Sequence, residues 1–324
     1  LISLRIYNKV YANAAGGITM LDTGKILSKL KEKGLEPKTT IGEPMKNHTT
    51  FKIGGKAALF IEPADRDEMC SVIRALMECG ISPLILGRGS NILVDDAGID
   101  NAVVSSMSAL SYVFEDEENV IRAGAGISLS KASSFAAEKG LSGMEFAHGI
   151  PGTVGGAVYM NAGAYGGDMS SIVEETLYLD PSGKLCLLKG SEHGFGYRES
   201  FFTKNSLCTI IETKMRLCRG DKKEIIRKID DLNARRRDKQ PLDMPSAGSV
   251  FKRPEGYFAG RLIEEAGLKG KTIGGAAVSE KHAGFIVNRG DATCRDVLEL
   301  IEFIQNEVER KSGIKLSCEI KYVK

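Results

Sequence analysis

The chain has 324 residues, enough for about two domains and a substantial core. A net charge of +2, with 42% hydrophobic and 27% charged residues, excludes wholesale attraction to nucleic acid or membrane, so any anion binding must be local. No run of about 18 apolar residues is present to span a bilayer, and seven cysteines without a C-x-x-C pair give neither a disulfide framework nor a metal site; they read as reduced thiols of a cytoplasmic protein.

Leu1 to Met20 is apolar in places, but Arg5, Asn8 and Lys9 interrupt any signal-like core. Met20 directly precedes a helical pattern, so the native start is expected there, with Leu1–Thr19 as upstream read-through. Thr23–Lys33 carries Ile26, Leu27 and Leu30 on one face, with Asp22 or Thr23 as cap and Gly34 as stop. Ala57–Ile61 reads as a strand. Asp65 then caps a helix that turns Met69, Val72, Ile73, Leu76 and Met77 inward and ends at Gly80. The strand Leu84–Leu86 and the turn Gly87–Asn91 complete a β-α-β unit. Short strands follow from Ala102 to Ala123, then a helix from Ser128 to Lys139 stopped by Gly140.

Ser142 to Asp168 is different, with eight glycines between Gly143 and Gly167, against an average of about 7%. No ordinary helix or strand is expected here, because glycine gives up the most backbone freedom on folding. In Gly152-Thr153-Val154-Gly155-Gly156-Ala157, successive bare N–H groups are expected to turn inward as a nest for a diphosphate; a loop built only for tight packing is the alternative. The turns at Gly87–Asn91 and at Gly124-Ala125-Gly126 point the same way. Neither completes the dinucleotide fingerprint G-x-G-x-x-G, since Ile92 and Leu129 stand where the third glycine belongs. Several glycine turns around one bulky diphosphate nucleotide fit better.

Glu174–Leu179 and Lys184–Leu188 read as strands joined by Pro181-Ser182-Gly183, and Leu207–Leu217 as another. The composition then changes. Asp221–Lys239 is a charged amphipathic helix with Ile225, Ile226, Ile229 and Leu232 inward, where a second domain is expected to begin. Ala259–Ala266 and Ala292–Lys311 are further helices. The last strand alternates Leu316, Cys318, Ile320 and Tyr322 on one face with Ser317, Glu319 and Lys321 on the other.

Outside the glycine turns, three positions are chemical candidates. Arg198, between aromatics after Gly194-Phe195-Gly196, is either a surface arginine or a planar clamp for a carboxylate. Ser249 is either a capping serine or a hydroxyl presented at a strand start; no G-x-S-x-G surrounds it. Glu319 is either a solvated edge carboxylate or a site residue. The run Arg235-Arg236-Arg237-Asp238-Lys239 either complements its helix dipole or holds a phosphate. The four histidines have no metal-like spacing, and no metal is expected.

Gly87–Asn91, Gly149–Gly156, Tyr197–Ser200, Gly248–Lys252 and Ser279–Asn288 occur in this order. Jointly they resemble the UDP-N-acetylenolpyruvoylglucosamine reductases, flavoenzymes that make UDP-N-acetylmuramate for peptidoglycan, over roughly Asn47 to Tyr322. The resemblance implies an α+β chain with an FAD-binding vanillyl-alcohol-oxidase-type (PCMH-type) fold. Residues 1–46 would be an N-terminal segment and helix, and 47–219 an FAD-binding domain of two α+β subdomains (about 47–106 and 107–219). Residues 220–324 would be a C-terminal α/β substrate-binding domain.

It further implies FAD held without a covalent bond, because Ser90 and Asn91 follow Gly89 where related oxidases can carry a flavin-linked histidine. Cofactor contacts would come from Gly87, Arg88, Gly89, Ser90, Asn91, Gly124, Gly126, Gly152, Thr153, Val154, Gly155, Gly156 and Asn161. NADPH would be the hydride donor and an enolpyruvyl ether of a UDP-sugar the acceptor. Arg198 and Glu319 would stabilise the charge that develops, and Ser249 would protonate the carbon. Arg235, Lys239 and Lys252 would bind substrate. No nucleic acid, membrane or obligate protein partner is implied. Arg253 stands where one subclass has asparagine, Ser317 where glutamate is common, and Lys321 where arginine is frequent. The segment after Phe202 is too short for a tyrosine-bearing insertion, so the chain resembles the insertion-free subclass.

Overall fold

In the first sheet, Lys38–Pro44 runs antiparallel to Lys56–Glu62, which lies parallel to Ile99–Ser105, itself parallel to Leu84–Leu86. The computed structural model describes residues 21–324, so the expected start at Met20 and the read-through before it lie outside the described residues. Helix Arg66–Glu78 forms where its apolar stripe was read. Asp65 Oδ1 accepts the Glu68 N–H at 2.9 Å, and Met69, Val72, Ile73 and Leu76 are buried against Leu59, Ile61 and Val104. Helix Thr23–Glu32 is capped by Asp22, which accepts the Lys25 N–H at 2.9 Å.

The second sheet is antiparallel, in the spatial order Leu185–Lys189, Val173–Leu179, Thr209–Arg216, Val120–Gly124, Val113–Glu117. Helix Leu129–Glu138, with Ser128 as its cap, packs into the same core. The glycine-rich stretch departs from expectation, for Val154–Met160 is a helix despite Gly155 and Gly156. Thr153 caps it by accepting the Gly156 N–H at 3.3 Å, and Asn161 ends it in the left-handed region at φ 43°. A side chain at Gly155 would put its Cβ 2.7 Å from that of Ala125. Each helical glycine costs about 1 kcal/mol in propensity, and close approach of the helix to Ala125 offsets that cost here.

A third sheet, also antiparallel, orders Ser246–Ser249, Phe285–Asn288, Ala276–Val278 and Thr272–Ile273. Its core takes in helices Ala259–Glu265 and Cys294–Ser312, the latter through Val297, Leu300, Ile301, Ile304 and Val308, as well as Phe51, Ile53 and Leu93 from the first third of the chain. Helix Lys222–Lys239 buries Ile225 and Ile229 against Ala137. Ile226, expected inward, is exposed. The buried stripe instead runs Ile225, Ile229, then Arg236, with half-buried Leu232 between them, a spacing of four, three and four that holds one helical face.

The last segment also differs from its reading as one strand. The alternation survives as burial, but only Lys321–Val323 is regular strand. The segment changes partner along its length. The Glu319 N–H donates to Val250 O (2.7 Å) and the Lys252 N–H to Ser317 O (2.9 Å); then the Lys321 N–H donates to Asn91 O (2.9 Å) and the strand runs parallel to Ile92–Val94. Tyr322 is hydrogen-bonded to Asp95 through its hydroxyl. The chain end thereby stitches the third sheet to the Gly87–Asn91 turn and carries Glu319 between them.

Candidate active site

A cavity of about 470 Å³ opens between these units, walled by Gly87–Asn91, by Gly152, Thr153, Gly155 and Gly156, and by the third sheet at Ala247–Ser249. The amides of Gly87, Arg88, Gly89, Ser90 and Asn91 donate to no backbone acceptor among the described residues. Gly89 turns at φ +59°, and a Cβ there would lie 2.2 Å from His48 O. Five consecutive amides without a backbone partner beside a cavity are what an anion cradle requires.

The nest expected at Gly152–Ala157 is not open in this way. Gly152 N–H donates to Ile150 O (2.8 Å), Val154 N–H to Ile127 O (2.9 Å) and Gly155 N–H to Ala125 O (2.9 Å). The fold itself uses these groups, while the residues still wall the cavity, Val154 excepted.

Gly124 and Gly126 line no part of the cavity. Added Cβ atoms would stand 2.3 Å from Leu110 O and 1.9 Å from Ser106 O, so the backbone crossing demands glycine at both. Gly126→Ala is expected to destabilise the protein by about 1–3 kcal/mol through overpacking. Urea denaturation checks this, and an unchanged midpoint refutes it. Asn161 also sits behind the wall. Its Nδ2 donates to Gly196 O (3.0 Å) and its Oδ1 accepts the Ser170 N–H (2.9 Å), bracing the loop that carries Arg198.

That loop is a tight turn closed by the Gly196 N–H on Glu199 O (3.0 Å), and it holds Arg198 at φ +58°. A left-handed conformation costs a side-chain-bearing residue roughly 1–2 kcal/mol. Three contacts hold Arg198 in it: Nε donates to Glu319 Oε1 (2.7 Å), Nη2 to Gly163 O (3.2 Å) and Nη1 to Asn161 O (3.5 Å). The Glu319 side chain is 15% exposed. Burial raises its pKa above the ordinary carboxylate value, and the opposing pull of Arg198, Lys252 and Lys321 does not cancel the rise. Burial, with repulsion from Lys252, lowers that of Lys321.

Ser249 ends the edge strand of the third sheet, its hydroxyl donating to Phe251 O at a long 3.3 Å. Its wall separates the main cavity from a second of about 330 Å³, and Arg198, His282 and Glu319 line both. The three candidates, distant in sequence, thus meet where two cavities join.

Arg235 and Lys239 do not reach this space. Arg235 pairs with Asp231 at 2.8 Å with its side chain 59% exposed, and Lys239 is exposed. Lys252 lines neither cavity, although it is near enough to act on Glu319 and Lys321. Within the run that sequence reasoning weighed, it passed over Arg236, which lines the main cavity at 6% exposure with Nε and Nη1 lacking hydrogen-bond partners among the described residues. Its guanidinium lies 5.6 Å from the Tyr165 ring centroid, and burial lowers its pKa. The helical spacing from Ile225 was the available signal. His282, Gln240 and Lys321 were also missed as lining residues.

The arrangement of open amides, a buried cation and an arginine–carboxylate pair suits a large phosphate-bearing ligand beside a carboxylate-bearing one. The pattern of the UDP-N-acetylenolpyruvoylglucosamine reductase C-terminal domain matches residues 240–323, and that of an FAD binding domain residues 57–189. A UDP-N-acetylenolpyruvoylglucosamine reductase of Caldanaerobacter subterraneus subsp. tengcongensis is 48% identical over 298 residues, 92% of this chain and 98% of that protein. One of Lachnoclostridium phytofermentans is 43% identical over 92% of this chain and 97% of its own length. The crystal structure of UDP-N-acetylenolpyruvylglucosamine reductase from Thermus caldophilus superposes with a TM-score of 0.73 at 32% identity, covering 89% of this chain and 99% of that one. With the reductase and FAD-binding patterns together and full-length relatives of this likeness, the chain belongs to the UDP-N-acetylenolpyruvoylglucosamine reductase family, FAD-binding oxidoreductases of peptidoglycan precursor synthesis.

Proposed function

We propose that the chain reduces UDP-N-acetyl-3-O-(1-carboxyvinyl)-glucosamine to UDP-N-acetylmuramate with NADPH as hydride donor. The observation that carries this reading is the Arg198–Glu319 pair at 2.7 Å, set beside Ser249 where the two cavities meet. Residues 47–219 would hold the flavin, non-covalently, and 220–324 the sugar nucleotide. Among the described residues no helix is long and apolar enough to cross a membrane, and a cytoplasmic location is part of the proposal.

The cavity residues fit FAD. The open amides of Gly87–Asn91 match a diphosphate, and apolar Leu129, Ile150 and Ile210 give a ring system walls to rest on. FAD when bound supplies hydride transfer between NADPH and the vinyl group.

Hydride arrival at the terminal vinyl carbon leaves negative charge on the carbon next to the carboxylate, and that charge spreads into the carboxylate. The Arg198 guanidinium, already fixed by three hydrogen bonds, meets it without reorganising. Glu319, whose raised pKa favours the protonated acid more than in an exposed glutamate, donates a hydrogen bond to the same group. Ser249 then gives its hydroxyl proton to the carbon; the acid is weak, but the acceptor is a strong base. Anaerobic stopped-flow tests the whole reading. NADPH must reduce the bound flavin, and the enolpyruvyl sugar nucleotide must reoxidise it faster than air does. Rapid reoxidation by oxygen alone would mark an oxidase instead.

Arg236 is the proposed diphosphate contact of the substrate, in place of Arg235 and Lys239. Its guanidinium, buried beside the cavity, would give a charge-assisted bond worth about 1.5–3 kcal/mol. Arg236→Met is expected to weaken substrate binding about 10–100-fold, and Arg235→Met by less than about twofold. Titration followed by flavin absorbance measures both. Equal affinities in the two variants would remove Arg236 from the site.

A further inference from the structure

Residues 49–53 form a turn that is fastened to both walls of the main cavity. The Lys52 N–H closes it on Thr49 O (3.2 Å), and Thr49 Oγ1 donates to Ile53 O (3.1 Å). Thr50 sits on this turn and is bonded in two directions. Its N–H donates to Gly89 O (3.2 Å), in the middle of the cradle, and its hydroxyl donates to Ser246 O (2.7 Å), at the start of the strand that ends in Ser249. The turn itself is anchored. Phe51 and Ile53 are buried in the core of the third sheet, and Asn288 of that sheet donates from Nδ2 to Phe51 O (3.1 Å).

Both bonds of Thr50 act on backbone that the site uses. In a trans peptide the carbonyl and the following N–H point in opposite directions. Holding Gly89 O toward Thr50 therefore turns the Ser90 amide away from it, and that amide, beside the cavity, has no backbone partner among the described residues. On the other wall the ladder is irregular. Ser246 pairs with Val287 and Ser249 with Phe285, so Ala247 and Gly248 stand opposite Ile286 alone, a β-bulge with Gly248 at φ +76°. A bulge re-aims the side chain beyond it. The direction of the Ser249 hydroxyl thus depends on how the first residue of the bulge is held, and the Thr50 hydroxyl holds it.

We propose that Thr50 is a positioning residue for the proton-transfer step, a clamp that fixes the Ser249 hydroxyl relative to the cofactor cradle. This rests on Ser249 being the proton donor and on the cradle holding FAD. Thr50 makes and breaks no bond in the reaction; it acts through Ser246 and the bulge. Thr50→Val keeps the side chain's shape and the N–H to Gly89 and removes only the bond to Ser246.

The test uses FAD-loaded enzyme reduced anaerobically by NADPH and then mixed with the enolpyruvyl sugar nucleotide. Thr50→Val is expected to slow reoxidation at saturating substrate about 10–100-fold, the scale of a misplacement of up to about 1 Å. Flavin reduction by NADPH, substrate affinity and FAD affinity (read from flavin fluorescence) should each stay within about twofold of wild type. Amide hydrogen exchange should quicken across Ser246–Val250 and stay unchanged across Gly87–Asn91. Thr50→Ser, which keeps the hydroxyl, should bring reoxidation back to within about threefold of wild type. If the valine variant fails to hold FAD, Thr50→Ala is read in the same way and decides the matter. In a Ser249→Ala background Thr50→Val should cost less than about twofold, because the clamp then has no hydroxyl to place. A Thr50→Val reoxidation rate equal to wild type overturns the proposal while leaving Ser249 in place. So does a loss confined to substrate affinity, full additivity with Ser249→Ala, or a serine variant as slow as the valine one. A Ser249→Ala enzyme that reoxidises normally removes the serine from the reaction and this role of Thr50 with it.

Discussion

Ser249→Ala is expected to leave reduction of the bound flavin by NADPH at its normal rate and to slow reduction of the enolpyruvyl sugar nucleotide by about 10²–10⁴-fold, the range for removal of a positioned acid. The two half-reactions separate the serine's roles. In the proposed reaction the first depends on the cofactor wall at Gly87–Asn91 and Thr153, to which the Ser249 hydroxyl makes no hydrogen bond among the described residues. The second needs a proton delivered at the junction of the two cavities. The variant should fold normally, since the hydroxyl's one recorded bond is the long contact to Phe251 O within its own strand end. Stopped-flow absorbance of the flavin reads both phases in one experiment. A reoxidation rate within threefold of wild type would take Ser249 out of the chemistry.

Loss of the arginine fork is expected to be nearly as severe. Arg198→Lys keeps the charge but gives up the bond geometry that reaches Glu319, Gly163 and Asn161 together. Reduction of the vinyl group should fall about 10²–10³-fold, as for a lost oxyanion donor.

The same pair sets a pH dependence whose sign follows from the burial of Glu319. Its pKa is raised in the folded protein, so the proton is held to higher pH than in an exposed glutamate and is lost as the pH climbs through that raised value. Reduction of the vinyl group should therefore decline on the alkaline side, while flavin reduction by NADPH does not share that decline. Glu319→Gln, a permanent hydrogen-bond donor, should flatten the limb and retain more activity than Glu319→Ala. An identical alkaline limb in Glu319→Gln would assign it to another group. Stability follows the same sign: the contribution of Glu319 to folding is greatest at low pH and lost as it ionises, because burying the charged form is unfavourable.

The two sides of the site differ in how their residues were legible. Local signals are short in range and survive without knowledge of neighbours. Asp65, Ser128 and Asp221 cap the helices they precede, and the stripe on Cys294–Ser312 faces the core as read. The glycine stretch was misread because composition alone cannot tell a glycine that frees the backbone from one that admits a neighbour. Gly155 is the second kind: it lets a helix approach Ala125, and that packing uses the very amides expected to face a ligand. In the Arg235–Lys239 run the count of charges drew attention, whereas the angular position along the helix decides which cation is inside. A period carried on from Ile225 and Ile229 selects Arg236.

While the fold class was an expectation carried by the family motifs, the capped helices were fixed by the chain's local pattern, because caps and periodicity act over a few residues. The convergence of Arg198, Ser249 and Glu319 was not, since it depends on a final segment that leaves the third sheet at Val250 and joins the first unit at Asn91. Only that crossing of partners carries Glu319 to Arg198 over 121 residues of sequence. The burial that raises the carboxyl's pKa likewise arises from packing between distant parts of the chain, which no local pattern encodes.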